Sequence, residues 1–160
     1  MKKPNNHYVK FCKLLKTYNS DGKQNGWLLE MMSEGDGWTE NLRGQIYLTV
    51  VAPKNYKGYH IHAEAMNHFA CLKGKIKLVI YTNRKKKREV EMGDREFKIM
   101  KVFPGEAHCM INDGTEEARV LTYRYPQWSE ENQDILTISP SEILTSEAWK
   151  KIESFKKSVK

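Results

Sequence analysis

The chain has 160 residues, one domain's worth, with 27 Lys and Arg against 20 Asp and Glu and a net charge of +7. That length buries about two-thirds of the unfolded surface in a single core and requires no second domain. The longest apolar segment, Lys77 to Tyr81, is far too short to span a bilayer, which excludes membrane insertion by a helix. Cys12, Cys71 and Cys109 show no C-x-x-C spacing and the N-terminus lacks an apolar stretch, so free thiols and a cytoplasmic location are expected.

In chain order, Val9 to Leu14 reads as a modest strand, followed by the turn residues Asn19 to Gly22 and a second strand from Trp27 to Met31. Gln45 to Ala52 is β-branched and aromatic and stops at Pro53. Strands follow at Tyr59 to His62, Phe69 to Leu72 and Lys75 to Thr82, the last with Ile76, Leu78 and Ile80 on one face. The basic run Arg84 to Arg88 reads as a solvated hairpin tip, with an electrostatic lure for a phosphate-bearing ligand as the sharper alternative. Nothing in the chain matches a nucleic-acid-binding motif, and no nucleic-acid partner is expected. Arg88 to Met92, Phe97 to Phe103, His108 to Ile111 and Ala118 to Tyr125 complete the strands, with Leu121, Tyr123 and Tyr125 sharing a face.

Many short strands with Gly and Pro turns and no intervening helical pattern predict an all-β sandwich, barrel or jelly roll over residues 1–138. Residues 139–160 differ. Ser146 to Phe155 has a cap residue, an acidic first turn, and Trp149, Ile152 and Phe155 at helical spacing, so a C-terminal amphipathic helix docked on the domain is expected.

The chemistry concentrates in Gly58-Tyr59-His60-Ile61-His62 and Pro104-Gly105-Glu106-Ala107-His108. Alternation along a strand puts His60 and His62 on one face, and a strand after Pro104-Gly105 carries His108 inward beside them. His68 falls outside this pattern and reads as structural.

These segments resemble the paired motifs of the cupin superfamily. The first motif is carried by His60, His62, Asn67 and Gly74, and the second by Gly105, His108 and Asn112. Within that superfamily, Lys57-Gly58-Tyr59-His60, Val102 to Cys109, Asp36 to Glu40 and Ala118 to Glu131 are similar to dTDP-4-dehydrorhamnose 3,5-epimerases and dTDP-sugar 3,4-ketoisomerases. The resemblance implies a double-stranded β-helix, the cupin jelly roll, and proton transfer next to the keto group of a dTDP-4-keto-6-deoxyhexose. It implies His60 or His62 as base with His108 beside it, and Tyr123 or Tyr125 as acid or oxyanion donor. Lys57 would contact the diphosphate, Trp128 would stack on base or sugar, and Asn67 and Asn112 would touch the substrate. Two departures stand out: Asn67 occupies the position of the cupin acidic metal ligand, and the aspartate that backs the epimerase histidine is matched only by Asp134.

Accordingly no cofactor is expected. The alternatives are a metal cupin holding one divalent transition metal on His60, His62 and His108, or a non-catalytic sugar-binding accessory module. A homodimer is expected from the general prevalence of twofold pairs.

Overall fold

The computed structural model describes residues 12–37, 41–93, 95–131 and 133–158. Two antiparallel sheets face each other. One has six strands in the order β1 (Lys13–Tyr18), β2 (Gln24–Ser33), β3 (Gln45–Val51), β10 (Ala118–Tyr125), β5 (Met66–Lys73) and β8 (Met100–Val102). The other has five, in the order β11 (Leu136–Thr137), β4 (Asn55–Ile61), β9 (Ala107–Asn112), β6 (Lys75–Asn83) and β7 (Lys86–Gly93). Sequence-distant strands neighbour one another in both sheets, as the jelly roll expected from the sequence requires. Half of the predicted strand over Val9 to Leu14 lies outside the described residues, as does all of Trp38 to Glu40 of the resemblance. Phe97 to Phe103 is corrected: only Met100–Val102 pairs, and Phe97 and Ile99 are exposed on an unpaired approach to it.

The register sorts the inward positions of the six-stranded sheet into rows. At one end Gly26, Val51 and Ala118 lie abreast, then Leu28, Thr49, Val120 and Cys71. Next come Glu30, Tyr47, Thr122 and Phe69, and at the far end Ser33, Gln45, Arg124 and Asn67. The rows thus pass from apolar to polar along the same strands. Ile76, Leu78, Met92 and Met110 of the opposite sheet pack against the apolar rows and close that end of the barrel.

The outer face of the five-stranded sheet is covered. α1 (Ser146–Ser158) starts with Thr145 Oγ1 accepting the Ala148 N–H at 3.2 Å, so Thr145 caps the helix one residue before the Ser146 expected. Ala148, Trp149 and Ile152 bury against Tyr59, Ile61, Val79, Tyr81 and Cys109, and Trp149 Nε1 donates to the Ile143 carbonyl at 2.7 Å. The helix is thereby docked on its own domain. None of the helices of the described residues is long and apolar enough to cross a membrane.

Candidate active site

The polar end opens into a cavity of about 670 Å³, within the usual range for small-molecule sites. Its two walls come from the two sheets. One carries Lys57 and His60 from β4, His62 just past its end and His108 from β9, and the other carries Gln45, Tyr47, Thr49, Asn67 and Arg124 from β3, β5 and β10.

Histidine convergence follows from register. His60 pairs directly with His108 across β4 and β9. The ring centroids of His108 lie 6.1 Å from His60 and 5.6 Å from His62, with Phe69 beneath at 5.4 Å. Lys57 reaches the same wall although it lies three positions before His60, an odd offset that a regular strand would send to opposite faces. The ladder is interrupted between these two residues, at Gly58. There φ is +123°, and a Cβ would run into the His108 carbonyl oxygen and the Cys109 Cα, so only glycine fits.

The pass from β10 into β11 brings Asp134 to His62. The Asp134 carboxylate accepts N–H bonds from Ala63, Glu64 and Ala65 and an Arg124 Nη2 bond at 3.3 Å. Its carbonyl oxygen lies 2.8 Å from His62 Nδ1, and Arg124 Nη1 is 3.1 Å from the same nitrogen. One ring nitrogen serves one of these at a time, because the carbonyl only accepts and the guanidinium only donates. The shorter contact assigns the proton to Nδ1 and leaves Nε2 as the lone-pair nitrogen.

Burial sets the protonation states. It holds the His60 and His62 pKa down to about 4, with His62 and Lys57 adding to the effect at His60 and Arg124 adding to it at His62. His108 is held well below the ordinary value by burial and by the other two histidines. Lys57 Nζ bonds Thr17 Oγ1 at 2.6 Å and the Trp27 carbonyl at 3.1 Å, and burial lowers its pKa to about 7. Tyr47 is pushed up to about 12 by burial, moderated by Arg124 and the Thr122 hydroxyl, and so keeps its proton.

Other expected site residues are placed differently. Tyr123 and Tyr125 are corrected: the inward residues of β10 are Thr122 and Arg124, so both tyrosines face outward, Tyr123 donating to the Arg43 carbonyl at 3.0 Å and Tyr125 half exposed. His68 packs its ring 5.7 Å from that of Tyr123 on the same outer face. Asn112 is corrected too. Its amide donates to the Val51 and Glu116 carbonyls and accepts the Gly114 N–H, which ties a hairpin, and Asn112 does not line the cavity. Trp128 does line the cavity, at its rim. The sequence reading missed Tyr47, Gln45 and Arg124; the strong strand pattern around Tyr47 was the available signal.

The donor set of this site lacks the carboxylate of the cupin metal motif. The described residues hold no group of three or more His, Cys, Asp or Glu arranged to take an ion, and Asn67 offers a neutral amide where a carboxylate would be needed.

In overall structure the chain is similar to the capsular polysaccharide assembling protein CapF of Staphylococcus aureus, with TM-score 0.66 and 17% identity over 79% of this chain and 34% of that one. It thus spans about a third of CapF's length. It is also similar to a dTDP sugar isomerase from Desulfovibrio desulfuricans G20, with TM-score 0.59 and 18% identity over 89% of this chain and 92% of that one. A third similar structure is a sugar 3,4-ketoisomerase from Thermoanaerobacterium thermosaccharolyticum in complex with TDP, with TM-score 0.52 and 16% identity over 92% and 96% of the two chains. At such identities the likeness establishes the fold, the cupin-type jelly roll with a C-terminal helix. No curated protein matches the chain by sequence. The family model described as "Polysaccharide biosynthesis C-terminal domain" matches residues 21–136, most of both sheets and both walls of the cavity, and the chain belongs to that family.

Proposed function

We propose that the protein is a nucleotide-sugar epimerase or ketoisomerase that moves a proton next to the keto group of a dTDP-4-keto-6-deoxyhexose. The observation that carries this reading is one cavity holding three neutral imidazoles opposite a protonated tyrosine and a guanidinium. Similar folds belong to a dTDP sugar isomerase, a 3,4-ketoisomerase and a 4-keto-6-deoxy sugar epimerase, which favours the same substrate class.

In this reading His62 Nε2 takes the proton from the carbon beside the ketone, its ring fixed by the Asp134 carbonyl on Nδ1. His60 is the nearest alternative, being on the same wall. The electron pair moves onto the ketone oxygen, and Tyr47 or Arg124 donates a hydrogen bond to the enolate that forms. Delivery of a proton from the opposite wall to the other face of that carbon inverts it; delivery of the proton to the former ketone carbon, with the hydroxyl on the deprotonated carbon losing its proton and the enolate oxygen gaining one, migrates the ketone. The anionic diphosphate raises the depressed histidine pKa values toward neutrality, where a general base works best. Lys57 and Trp128 serve diphosphate and base or sugar.

The reaction needs no bound metal in this proposal. A homodimer belongs to it as well, and sedimentation measures that mass. So does a cytoplasmic location, to which the free thiols of Cys12, Cys71 and Cys109 are suited.

The test is NMR of a dTDP-4-keto-6-deoxyhexose incubated with the protein in D₂O. Deuterium should enter at a carbon beside the ketone, with inversion or keto migration. Tight binding without exchange across a panel of 4-keto sugars would overturn the enzyme reading in favour of a sugar-binding module.

A further inference from the structure

Asn67 is 1% exposed, lines the cavity, and bonds through neither its amide nitrogen nor its amide oxygen to any described group. Asn112 is equally buried, yet both ends of its amide are bonded, to three backbone partners. A structural asparagine in this barrel therefore looks like Asn112. An amide shielded from water with both ends unused is costly to fold, and proteins retain such groups where a ligand completes them.

Its position narrows the ligand. On the inner sheet face Asn67 stands between Arg124 and Val102, opposite the histidine wall. A primary amide presents one donor edge and one acceptor edge about 2 Å apart, which matches two oxygens on adjacent carbons, one accepting and one donating. A ketone with a neighbouring hydroxyl has that pattern, and a phosphate, with acceptors only, does not.

We propose that Asn67 is the specificity residue for the sugar, its Nδ2 donating to the ketone oxygen and its Oδ1 accepting from the hydroxyl on the adjacent carbon. This rests on the nucleotide-sugar reading above and adds which part of the substrate is recognised and by what. The Asn67 amide then also holds the ketone C–O bond and the neighbouring hydroxyl C–O bond near one plane, since both oxygens are fixed by one planar group. No covalent step is assigned to it.

The test titrates calorimetrically wild type and Asn67→Leu, which keeps the branched four-atom shape of asparagine without its polar atoms, with three probes: dTDP, a dTDP-4-keto-6-deoxyhexose, and its analogue lacking the hydroxyl beside the ketone. Asn67→Leu should bind dTDP within about twofold of wild type and the keto sugar roughly ten- to hundredfold more weakly. The deoxy analogue should bind wild type more weakly than the full sugar, and that difference should vanish in the variant. The melting temperature of ligand-free Asn67→Leu should equal or exceed that of wild type, because a buried unpaired amide is gone. Equal weakening for dTDP and the keto sugar, or undiminished discrimination of the deoxy analogue in the variant, would overturn the proposal. Should Asn67→Leu fail to fold, discrimination of the deoxy analogue by wild type alone decides, its absence counting against Asn67. Wild-type protein that binds neither dTDP nor the keto sugar would refute the nucleotide-sugar reading itself, and this assignment with it.

Discussion

The two ends of the barrel are built from the same strands, and they differ only in what those strands carry at their inward positions. Along β10 the inward residues run Ala118, Val120, Thr122, Arg124; along β5 they run Cys71, Phe69, Asn67; along β9, Met110 is followed by His108. At the closed end these positions make a core that excludes water. At the open end they make polar walls at the expense of that core. The comparison teaches that the site is held by the scaffold's most rigid elements, strands in mid-sheet, which suits groups that must be aimed within fractions of an ångström.

Substitutions at opposite ends should separate turnover from stability. His62→Asn should lower kcat by roughly 10²–10⁴-fold while changing the melting temperature little, since asparagine can still meet the Asp134 carbonyl. Leu78→Ala, deep in the closed end, should cost about 2–5 kcal/mol in denaturant titrations and leave kcat per folded molecule nearly unchanged. If Leu78→Ala abolished turnover while folded, the two ends would not be separable.

Acid should break the open end first. The folded-state pKa values of His60, His62 and His108 lie below the unfolded value near 6.5, so between about pH 6.5 and 4 the unfolded chain binds more protons. Stability is therefore lost as pH falls through that window. One histidine held near 4 already costs about 3 kcal/mol by pH 4. Urea midpoints measured from pH 7 to 4 should fall steeply, and a His60→Gln, His108→Gln double variant should flatten the curve.

Tyrosine positions sharpen the contrast between inside and outside. Tyr47→Phe should reduce kcat by about 10–10³-fold, as loss of one donor to a developing enolate does, whereas Tyr123→Phe should stay within about twofold. Lys57→Met should raise KM about tenfold with a smaller effect on kcat, because a diphosphate contact is similar in ground and transition states. The smallest expected effect is none. Dialysis against a chelator should leave activity intact, and elemental analysis should find less than one transition metal per chain.

Much of this was legible in the chain. Strand alternation at His60 and His62 and the Pro104-Gly105 lead into His108 fixed which residues would meet, because period two leaves a strand no other choice. The parity of β10 was not legible. Its outward face, Leu121, Tyr123 and Tyr125, is more apolar than its inward face at the open end, where Thr122 and Arg124 serve the cavity. Hydrophobicity therefore points the wrong way there, and the resemblance that offered Tyr123 or Tyr125 as acid carries no information on which way they face. The interruption at Gly58, which adds Lys57 to the histidine wall, likewise breaks the alternation that sequence reasoning depends on. The helix was legible in its cap, its acidic first turn and its stripe, since Trp149 and Ile152 recur where a docked face must.

Pairing of β3 with β10 joins residues far apart in the chain, Thr49 and Thr122 touching across 73 positions at 3.4 Å between their hydroxyl oxygens. Chains whose contacts are this remote must close long loops before any contact rewards them, and they fold in milliseconds to seconds. Here the cavity is also completed late in synthesis, with only the C-terminal helix to follow. Its tyrosine wall waits for residue 124, and the carboxylate that ties the loop after His62 waits for residue 134. Until then the apolar faces of β6 and β9 have neither their helix nor their opposing sheet, a period in which the nascent chain is most prone to stick to its neighbours.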